Sequence, residues 1–376
     1  MLLYLSVILL CFLLAFFKMP KFAENGALII IAVFLCFGYM TGTDWYNYET
    51  YYNHTNIAEA ALKNRESGYL TIQKIFSRVG VDFWVFHIAV KLLVFIALIY
   101  FVKKFNVNVF LFLAFFIPFA GLYLFIDCPF RNLIAFGFSL IALSKLFDNK
   151  HISFIAFTML ALLFHISSSF LILIYLIYKK DFKVFFIIIA TVLIYSLAFN
   201  AKLIINKIYV PLIEINPVIK ERLGGYVVDY RYITNSFNLG SLLRLFIIML
   251  MIVFKHTIVG DNKIRLYVFN LAILYLMLYP LGISMKIIQR ITIYISPFFV
   301  LGVIYLLKSL EIKTNRYLMS LFFVVFTFWQ TYNMVTVDYR YVPYSNYLHH
   351  WVKKDFPSIE YRRNYNKNKS PYKEKK

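Results

Sequence analysis

Long apolar blocks separated by short polar joints occupy the chain from residue 2 to about residue 336. A helix needs roughly 20 apolar residues to cross the hydrocarbon core of a bilayer. The pattern therefore predicts an all-α, polytopic integral membrane protein with about 11–12 transmembrane helices. The predicted blocks cover approximately residues 2–17, 27–41, 83–102, 109–125, 130–147, 152–164, 168–178, 184–200, 240–256, 264–284, 291–307 and 317–336.

The polar joints between these blocks alternate between two kinds. Joints of one kind are short and basic, which is typical of cytoplasmic loops. They contain Lys18/Lys21, Lys103/Lys104, Lys145/Lys150, Lys179/Lys180/Lys183, Lys255/Lys263/Arg265 and Lys308/Lys313/Arg316. The other joints, which include two long loops at about 42–82 and 201–240, are predicted to face the outside.

Residues 152–178 form either one long helix or two short helices that meet at His165. A single helix would place the lysines at 179–183 outside, against the alternation, so we predict the broken pair. A helix of about 13 residues rises only about 20 Å and does not span alone. Irregular backbone at that depth is tolerated only where it lines a polar cavity, which makes the surroundings of His165 a candidate site.

The block pattern predicts one transmembrane domain, residues 1–336, followed by a tail at 337–376. The tail begins with an aromatic stretch from Tyr339 to Tyr344 and ends in a polar, basic segment. Its last 15 or so residues have the composition of a disordered segment. A twelve-helix count puts the tail outside, whereas its lysines favour the inside, so the sequence leaves both sides open.

Composition agrees with a membrane protein. Hydrophobic residues make up 61% of the chain and charged residues 15%, against about 45–50% and about 25% in soluble domains. The formal net charge of +21 resides mostly in the basic joints and therefore predicts topology rather than a nucleic-acid partner. The three scattered cysteines, Cys11, Cys36 and Cys128, predict neither a disulfide framework nor a zinc site.

Motifs for nucleotide or metal chemistry are missing from the sequence. It contains no phosphate-binding glycine loop, no HExxH pair, no DxD carboxylates and no histidine–cysteine cluster with metal-ligand spacing. We therefore predict no cofactor and no metal. The energy for chemistry on the outer face would then arrive with the substrate, as a lipid-linked pyrophosphate donor would supply it.

The first long loop combines carboxylates with aromatic rings. It opens with the run from Gly42 to Tyr48, which contains Asp44 and Trp45, and later carries Glu66 and Tyr69. Rings pack on the apolar faces of sugars, and carboxylates bind or deprotonate sugar hydroxyls. The alternative for the tyrosines is an interfacial aromatic belt.

Basic side chains recur at the joints predicted to lie outside. Arg131 follows Asp127 at the start of an apolar helix, Arg222 lies in the second long loop, and Arg290 lies at a third joint. A guanidinium binds oxyanions bidentately, so together these arginines predict an anionic substrate such as a pyrophosphate. The alternative for each is a side chain that extends to the interface, or, for Arg131, an ion pair with Asp127. The lone His165 is a candidate proton acceptor or a structural residue.

An ordered series of short motifs resembles a known family, the EpsG-like and Wzy-like oligosaccharide repeat-unit polymerases of bacterial surface polysaccharides, which include O-antigen polymerases. The motifs are Gly42, Asp44 and Tyr48; Glu66, Gly68 and Tyr69; Arg131, Asn132 and Ala135; Phe164, His165 and Ser167; Arg222 and Tyr226; and Pro343 and Tyr344. The chain departs from the family pattern at Gly38, where an arginine is frequent, and at Asn132, where a glutamine is usual.

The resemblance implies a metal-independent glycosyltransferase with a GT-C-like fold in the bacterial inner membrane. Such an enzyme transfers a growing glycan from undecaprenyl pyrophosphate onto another lipid-linked repeat unit on the outer face. The expected partners are an undecaprenyl-pyrophosphate-linked oligosaccharide, membrane lipids and a chain-length regulator protein, without nucleic acid. The expected site residues are His165, Asp44 and Glu66 for catalysis; Arg131, Arg222 and Arg290 for pyrophosphate; and Trp45, Tyr48, Tyr69 and Tyr226 for sugars.

Two other functions share much of this chemistry. An O-antigen ligase would use the same donor but another acceptor, and a deletion phenotype separates it from a polymerase, because losing the polymerase leaves a single capped repeat. A non-enzymatic flippase for lipid-linked oligosaccharides would need charged residues deep in the helices. Most charges in this sequence lie at helix ends and in loops, which favours an active site near the membrane surface.

Overall fold

The computed structural model describes residues 1–54, 67–204, 207 and 238–372. Within those ranges the secondary structure is helical except for one pair of two-residue strands. The chain divides into two compact units, which are described separately below. The first unit comprises Met1–Ser168 and Tyr317–Lys376, and the second comprises Ser169–Arg316.

Most of the long helices coincide with predicted apolar blocks, and further short helices lie between and after them. In the N-terminal part they are α1 (Leu2–Phe16), α2 (Lys21–Cys36), α3 (Trp45–Asn53), α4 (Ser67–Arg78), α5 (Phe83–Lys103), α6 (Val109–Phe116), α7 (Phe130–Phe147) and α8 (His151–Phe164). The middle part contains α9 (Phe170–Ile177), α10 (Val184–Phe199), α11 (Ala201–Ile204), α12 (Leu239–Val253), α13 (Lys255–Val259), α14 (Lys263–Ser284), α15 (Lys286–Thr292) and α16 (Ser296–Ser309). The C-terminal part contains α17 (Lys313–Val337), α18 (Tyr347–Lys353) and α19 (Ile359–Lys369).

Short polar side chains fix where several of these helices begin. The Asp82 carboxylate accepts hydrogen bonds from the amides of Trp84 and Val85 at the start of α5. Asn108 caps α6 and Asn262 caps α14 in the same manner. Each cap satisfies amides that have no partner inside the helix. The apolar blocks therefore begin immediately after a capping residue that the sequence already displays.

The outer faces of many helices are apolar, as contact with lipid requires. On α8 and α10 large side chains such as Ile152, Met159 and Phe185 stand well exposed. A water-soluble surface rarely carries apolar patches of this extent. Within the described ranges, six helices are long and apolar enough to cross a membrane, and five more predicted blocks form apolar helices of 10–17 residues. The prediction of an all-α polytopic membrane protein is confirmed.

The predicted break at His165 is confirmed. Helix α8 ends at Phe164, and His165 itself has extended backbone angles, with φ −156° and ψ 125°. A short 3₁₀ turn, Ile166–Ser169, then leads into α9. The residues at 152–178 therefore form two short helices rather than one spanning helix.

The helix that begins at Val109 changes its winding before it ends. After Phe116 the chain continues as a π-helix, Ile117–Asp127, and stops at Cys128, whose φ of 53° is left-handed. A π-helix is rare and commonly occurs near functional sites. Here it leads directly to the Asp127–Asn132 joint that the sequence marks as polar.

The first long loop is partly helical and closes against the tail. The amphipathic α4 and the nine-residue α3 lie within residues 42–82, and helix α2 ends at Cys36, five residues before the predicted end of its block. Residues Gly38–Tyr39 form strand β1, which pairs antiparallel with strand β2, Ser345–Asn346. The chain leaves the helix here because its backbone groups pair with the tail instead.

The tail is more ordered than its composition predicts. Residues Ile359–Lys369 form α19, which begins at the cap Ser358 and buries Arg362 and Asn366. The physical reason is a buried ion pair between Arg362 and Glu49 of α3. That contact also places the tail on the same side of the first unit as the first long loop, a question that the sequence leaves open.

One cation is buried within a helix long enough to span a membrane. Lys91, near the middle of α5, is only 1% exposed and has no hydrogen bond or ion pair with any described residue. Its titratable neighbours are the Cys36 and Cys128 thiols and His87, one turn away. A charge in such surroundings is costly and lowers the free energy of unfolding.

We expect Lys91→Met to stabilise the protein, because methionine fills the same volume without a buried charge. The expected gain is about 1–3 kcal/mol, seen as a higher midpoint of thermal unfolding in detergent.

Lys104→Met is the matched control. The Lys104 ammonium donates to the Ser144 carbonyl oxygen at 2.8 Å and to Asp148 at 2.5 Å, so its loss should lower the midpoint. A lower midpoint for Lys91→Met as well would contradict the view that Lys91 is uncompensated.

Candidate functional site

The Gly42–Asp44 turn lies directly on the backbone at the end of the π-helix. Gly42 has a left-handed φ of 94°, and a Cβ there would overlap the carbonyl oxygen of Ile126 and lie 3.0 Å from the Asp127 Cα. The Gly42 amide donates to the Arg340 carbonyl oxygen at 3.0 Å, and the Asp44 amide donates to that of Asp127 at 3.4 Å. Only glycine fits this position without displacing the neighbouring backbone.

Asp44 stands at the start of α3 with its side chain half-buried. The hydroxyl of Thr43 donates to Asp44 Oδ1 at 3.0 Å. The negative charge of Asp44 also acts on the hydroxyl of Tyr48, one turn further along α3. The carboxylate therefore borders both the turn and the phenol that contacts Arg131.

Arg131 and Tyr48 join the first long loop to the start of α7. The Arg131 Nε donates to the Tyr48 hydroxyl oxygen at 3.2 Å. Burial raises the pKa of Tyr48, and the neighbouring guanidinium opposes that rise, so the phenol stays neutral. The half-buried guanidinium is held at one edge by this hydroxyl. A guanidinium binds oxyanions through paired N–H groups.

Tyr69 closes the same cluster from α4. Its fully buried ring lies 5.5 Å from that of Tyr48 and 6.0 Å from that of Phe130. Its hydroxyl is buried without a hydrogen-bond partner among the described residues. Burial raises the pKa of this phenol. A lone buried hydroxyl is costly, which marks this spot as one where a bound polar group would gain a contact.

His165 is held by the turn that follows it. The Ser167 amide donates to His165 Nδ1 at 3.2 Å, and the Ser167 hydroxyl lies 2.6 Å from the same nitrogen. Since a backbone N–H only donates, Nδ1 must accept, and the neutral ring carries its proton on Nε2. In this arrangement the imidazole is a hydrogen-bond donor at Nε2 rather than a ready proton acceptor.

Packing in the first unit brings the predicted motifs to one end of the bundle. A Cβ on Gly68, beside Tyr69, would lie 2.9 Å from the Leu163 carbonyl oxygen, two residues before His165. The Phe164 ring stacks on Phe138 of α7 at 5.4 Å. Phe138 is seven residues beyond Arg131, roughly 10 Å along the α7 axis, so the break at His165 packs near the same helix that carries Arg131.

The remaining predicted residues lie elsewhere in the sequence. Arg290 lies in α15 of the second unit and is half-buried. Trp45 is buried, with its ring 5.6 Å from that of Trp84, so packing already occupies it. The predictions for Glu66, Arg222 and Tyr226 concern positions outside the described residues.

Three features of the first unit were not predicted from the sequence. The Tyr341 hydroxyl donates to the buried Asp127 carboxylate at 2.5 Å, whereas the sequence offered Arg131 as the partner of Asp127. Glu49 is buried against the tail, and Lys91 is buried inside α5. Of these, only Lys91 gave a signal, because it is a charge within a predicted apolar block.

Comparison with protein families agrees with the motifs. The model of the EpsG family matches residues 25–346. The chain belongs to the EpsG family. The match includes Gly42, Asp44, Tyr69, Arg131 and His165, and the resemblance to EpsG-like polymerases is thereby confirmed. No curated protein and no solved structure matches the chain.

Membership in the EpsG family indicates a general role for the chain in polysaccharide biosynthesis. EpsG-family proteins are multi-pass membrane proteins of polysaccharide biosynthesis, and in general they are glycosyltransferase-like polymerases. The chain has the helical, apolar architecture of such a protein. The cluster of Asp44, Tyr48, Tyr69 and Arg131 is its candidate functional site.

Gly42→Ala should destabilise the protein by at least about 3 kcal/mol, because it combines a left-handed backbone with overlap on Ile126. The measurement is the thermal unfolding midpoint of the purified protein, together with the amount inserted in the membrane.

Two other glycines separate these causes. Gly80 has a φ of 78° with open space around it, so Gly80→Ala should cost only about 1 kcal/mol. Gly26 lies in α2 with nothing within 4 Å, and Gly26→Ala should be neutral or stabilising. Equal losses for Gly42→Ala and Gly80→Ala would show that overlap with Ile126 is unimportant.

Proposed function

We propose that this EpsG-family protein polymerises a bacterial surface polysaccharide. It would transfer a growing glycan from undecaprenyl pyrophosphate onto the terminal sugar of another lipid-linked repeat unit, on the outer face of the inner membrane. A GT-C-like arrangement of the helices and the absence of a metal requirement are part of this proposal. The main support is one contact, the bond from Arg131 to Tyr48 beside Asp44.

The hydrogen bond from Arg131 to Tyr48 holds the guanidinium in a position where a phosphate would bind. Arg131 begins α7 at the polar end of the first unit, where the headgroup of a lipid-linked substrate would lie. The Tyr48 hydroxyl holds the Nε edge of the guanidinium, and a guanidinium that is held in place loses less side-chain entropy when it binds an oxyanion. In our proposal Arg131 binds the donor pyrophosphate, with Arg222 and Arg290 as further candidates.

The transfer step then needs one base and one stabilised leaving group. The acceptor hydroxyl oxygen forms a bond to the anomeric carbon while the bond from that carbon to the pyrophosphate oxygen breaks. The hydroxyl proton passes to the base, and undecaprenyl pyrophosphate leaves with the electron pair. Arg131 offsets the charge that develops on the leaving group.

We assign the base to Asp44, with Glu66 as the alternative, and give His165 a different role. His165 Nδ1 accepts from the Ser167 amide, so the role we give to His165 is donation from Nε2–H to a phosphate oxygen rather than proton abstraction. Tyr48 and Tyr69 would contact the substrate through their hydroxyl edges. Trp45 and Tyr226 remain candidates for sugar binding.

The direct test uses the substrate that accumulates in a strain from which the gene for this protein is deleted. The lipid-linked repeat unit extracted from that strain is incubated with the purified protein in lipid nanodiscs, and products are separated by length. A ladder of polymers is expected. Transfer of a single unit to another lipid acceptor, with no ladder, would instead indicate a ligase.

Arg131→Lys should lower the polymerisation rate roughly 10²-fold, since an ammonium keeps the charge but loses paired N–H donation. Arg78→Lys, at the exposed end of α4, is the matched control and should keep the wild-type rate. Full activity of Arg131→Lys would remove Arg131 from the phosphate site.

The pH profile distinguishes the two roles of His165. A histidine base would cause activity to fall below about pH 6.5, the ordinary pKa of histidine. Because we place the base elsewhere, we expect the acidic side of the profile to be the same in the wild type and in His165→Gln. His165→Gln should stay within roughly tenfold of the wild type, because its amide can donate, and His165→Ala should lose roughly 10²-fold. An acidic fall that disappears in His165→Gln would restore the histidine as base.

A further inference from the structure

The C-terminal helix α19 holds the first long loop through a buried ion pair. Arg362 Nη1 donates to both carboxylate oxygens of Glu49, at 3.0 and 2.8 Å. The Trp84 indole N–H donates to Glu49 Oε1 at 3.1 Å. Both charged side chains are less than a tenth exposed. Glu49 thus has three hydrogen bonds in a site closed to solvent.

Aromatic rings complete the enclosure of the guanidinium. The rings of Tyr39, Trp45 and Trp84 lie 5.4–5.8 Å from the Arg362 carbon that joins its three nitrogens. Such rings attract a cation with their faces. One turn further along α19, the Asn366 amide donates to the carbonyl oxygens of Arg340 at 2.8 Å and of Pro343 at 3.3 Å. One face of α19 therefore packs against the rest of the first unit through Arg362 and Asn366.

The pair acts on the short helix that carries Tyr48. Helix α3 has nine residues, too few to be stable in isolation, so contacts outside it determine its position. Glu49 follows Tyr48 directly, and Tyr48 accepts the hydrogen bond from Arg131. A shift of Glu49 moves the phenol that fixes this guanidinium.

We propose that Arg362 is a positioning residue of the polymerase site, which it serves by anchoring α3 through Glu49. The effect on activity rests on the proposed function, whereas the anchoring of α3 does not. Arg362 lies beyond residues 25–346, so the family match assigns it no role. A buried ion pair contributes little net stability, and its use here is to fix the register of α3 against Arg131.

The first measurement needs no substrate. In Arg362→Met, hydrogen–deuterium exchange of the α3 amides should become at least tenfold faster, while exchange in α7 stays unchanged. The unfolding midpoint should fall by more than about 5 °C, because Glu49 is left buried without its partner. The neighbouring exposed Arg363 contacts only the Tyr46 ring, at 5.0 Å, among the described rings, and Arg363→Met should leave α3 exchange within twofold. Unchanged α3 exchange in Arg362→Met would overturn the proposal.

A double variant separates positioning from stability. Glu49→Gln combined with Arg362→Met removes both buried charges and should restore the unfolding midpoint to near the wild-type value. Polymerisation of the lipid-linked repeat unit should nevertheless remain reduced at least tenfold, and Arg362→Lys should recover part of it. Recovery of activity together with stability in the double variant would reduce Arg362 to a structural role. If Arg362→Met speeds exchange of the α3 amides but the wild-type protein forms no polymer, the anchoring of α3 still holds and only the proposed function is contradicted.

Discussion

The close approach of Gly42 to the Ile126 carbonyl is the constraint on which the candidate site depends. It brings the first long loop onto the end of the π-helix, so that Asp44 and Tyr48 meet the start of α7. No side chain can be placed between these two backbones. The loop is therefore positioned by main-chain geometry first and by side-chain contacts second.

Irregular backbone beside a membrane must satisfy its polar groups internally, and the tail does this for the loop. The Arg340 carbonyl oxygen accepts from Gly42 and from Asn366, and the Tyr341 carbonyl oxygen accepts from Tyr4 at 2.6 Å. Immediately before the loop, strand β1 pairs with strand β2 of the tail. Because Gly42 and Arg340 lie far apart in sequence, the tail must be in place before the loop can make this backbone contact.

The sequence predicts the helices well because lipid imposes one strong pattern on them. The break at His165 followed from the alternation of lysines, and the motif order indicated the family that was found. The buried side of the site was not predictable, since the partner of Glu49 is 313 positions away in a segment of disorder-like composition. Burial of Trp45 was also not predictable, because the sequence of a loop does not distinguish an aromatic ring that packs in the protein from one that binds a ligand.

The depth of the charged residues favours catalysis over transport within the first unit. A path for a lipid-linked oligosaccharide needs polar side chains at successive depths of the bundle. Lys91 and His87 are polar groups inside α5, but they lie one turn apart, with the His87 ring 4.8 Å from the Phe130 ring, and both are buried. Asp44 and Arg131 instead lie together at the start of α3 and of α7, where the proposed function places the pyrophosphate and its sugars. Among the described residues of the first unit, this charge distribution agrees better with the proposed transfer near the membrane surface than with a transport path.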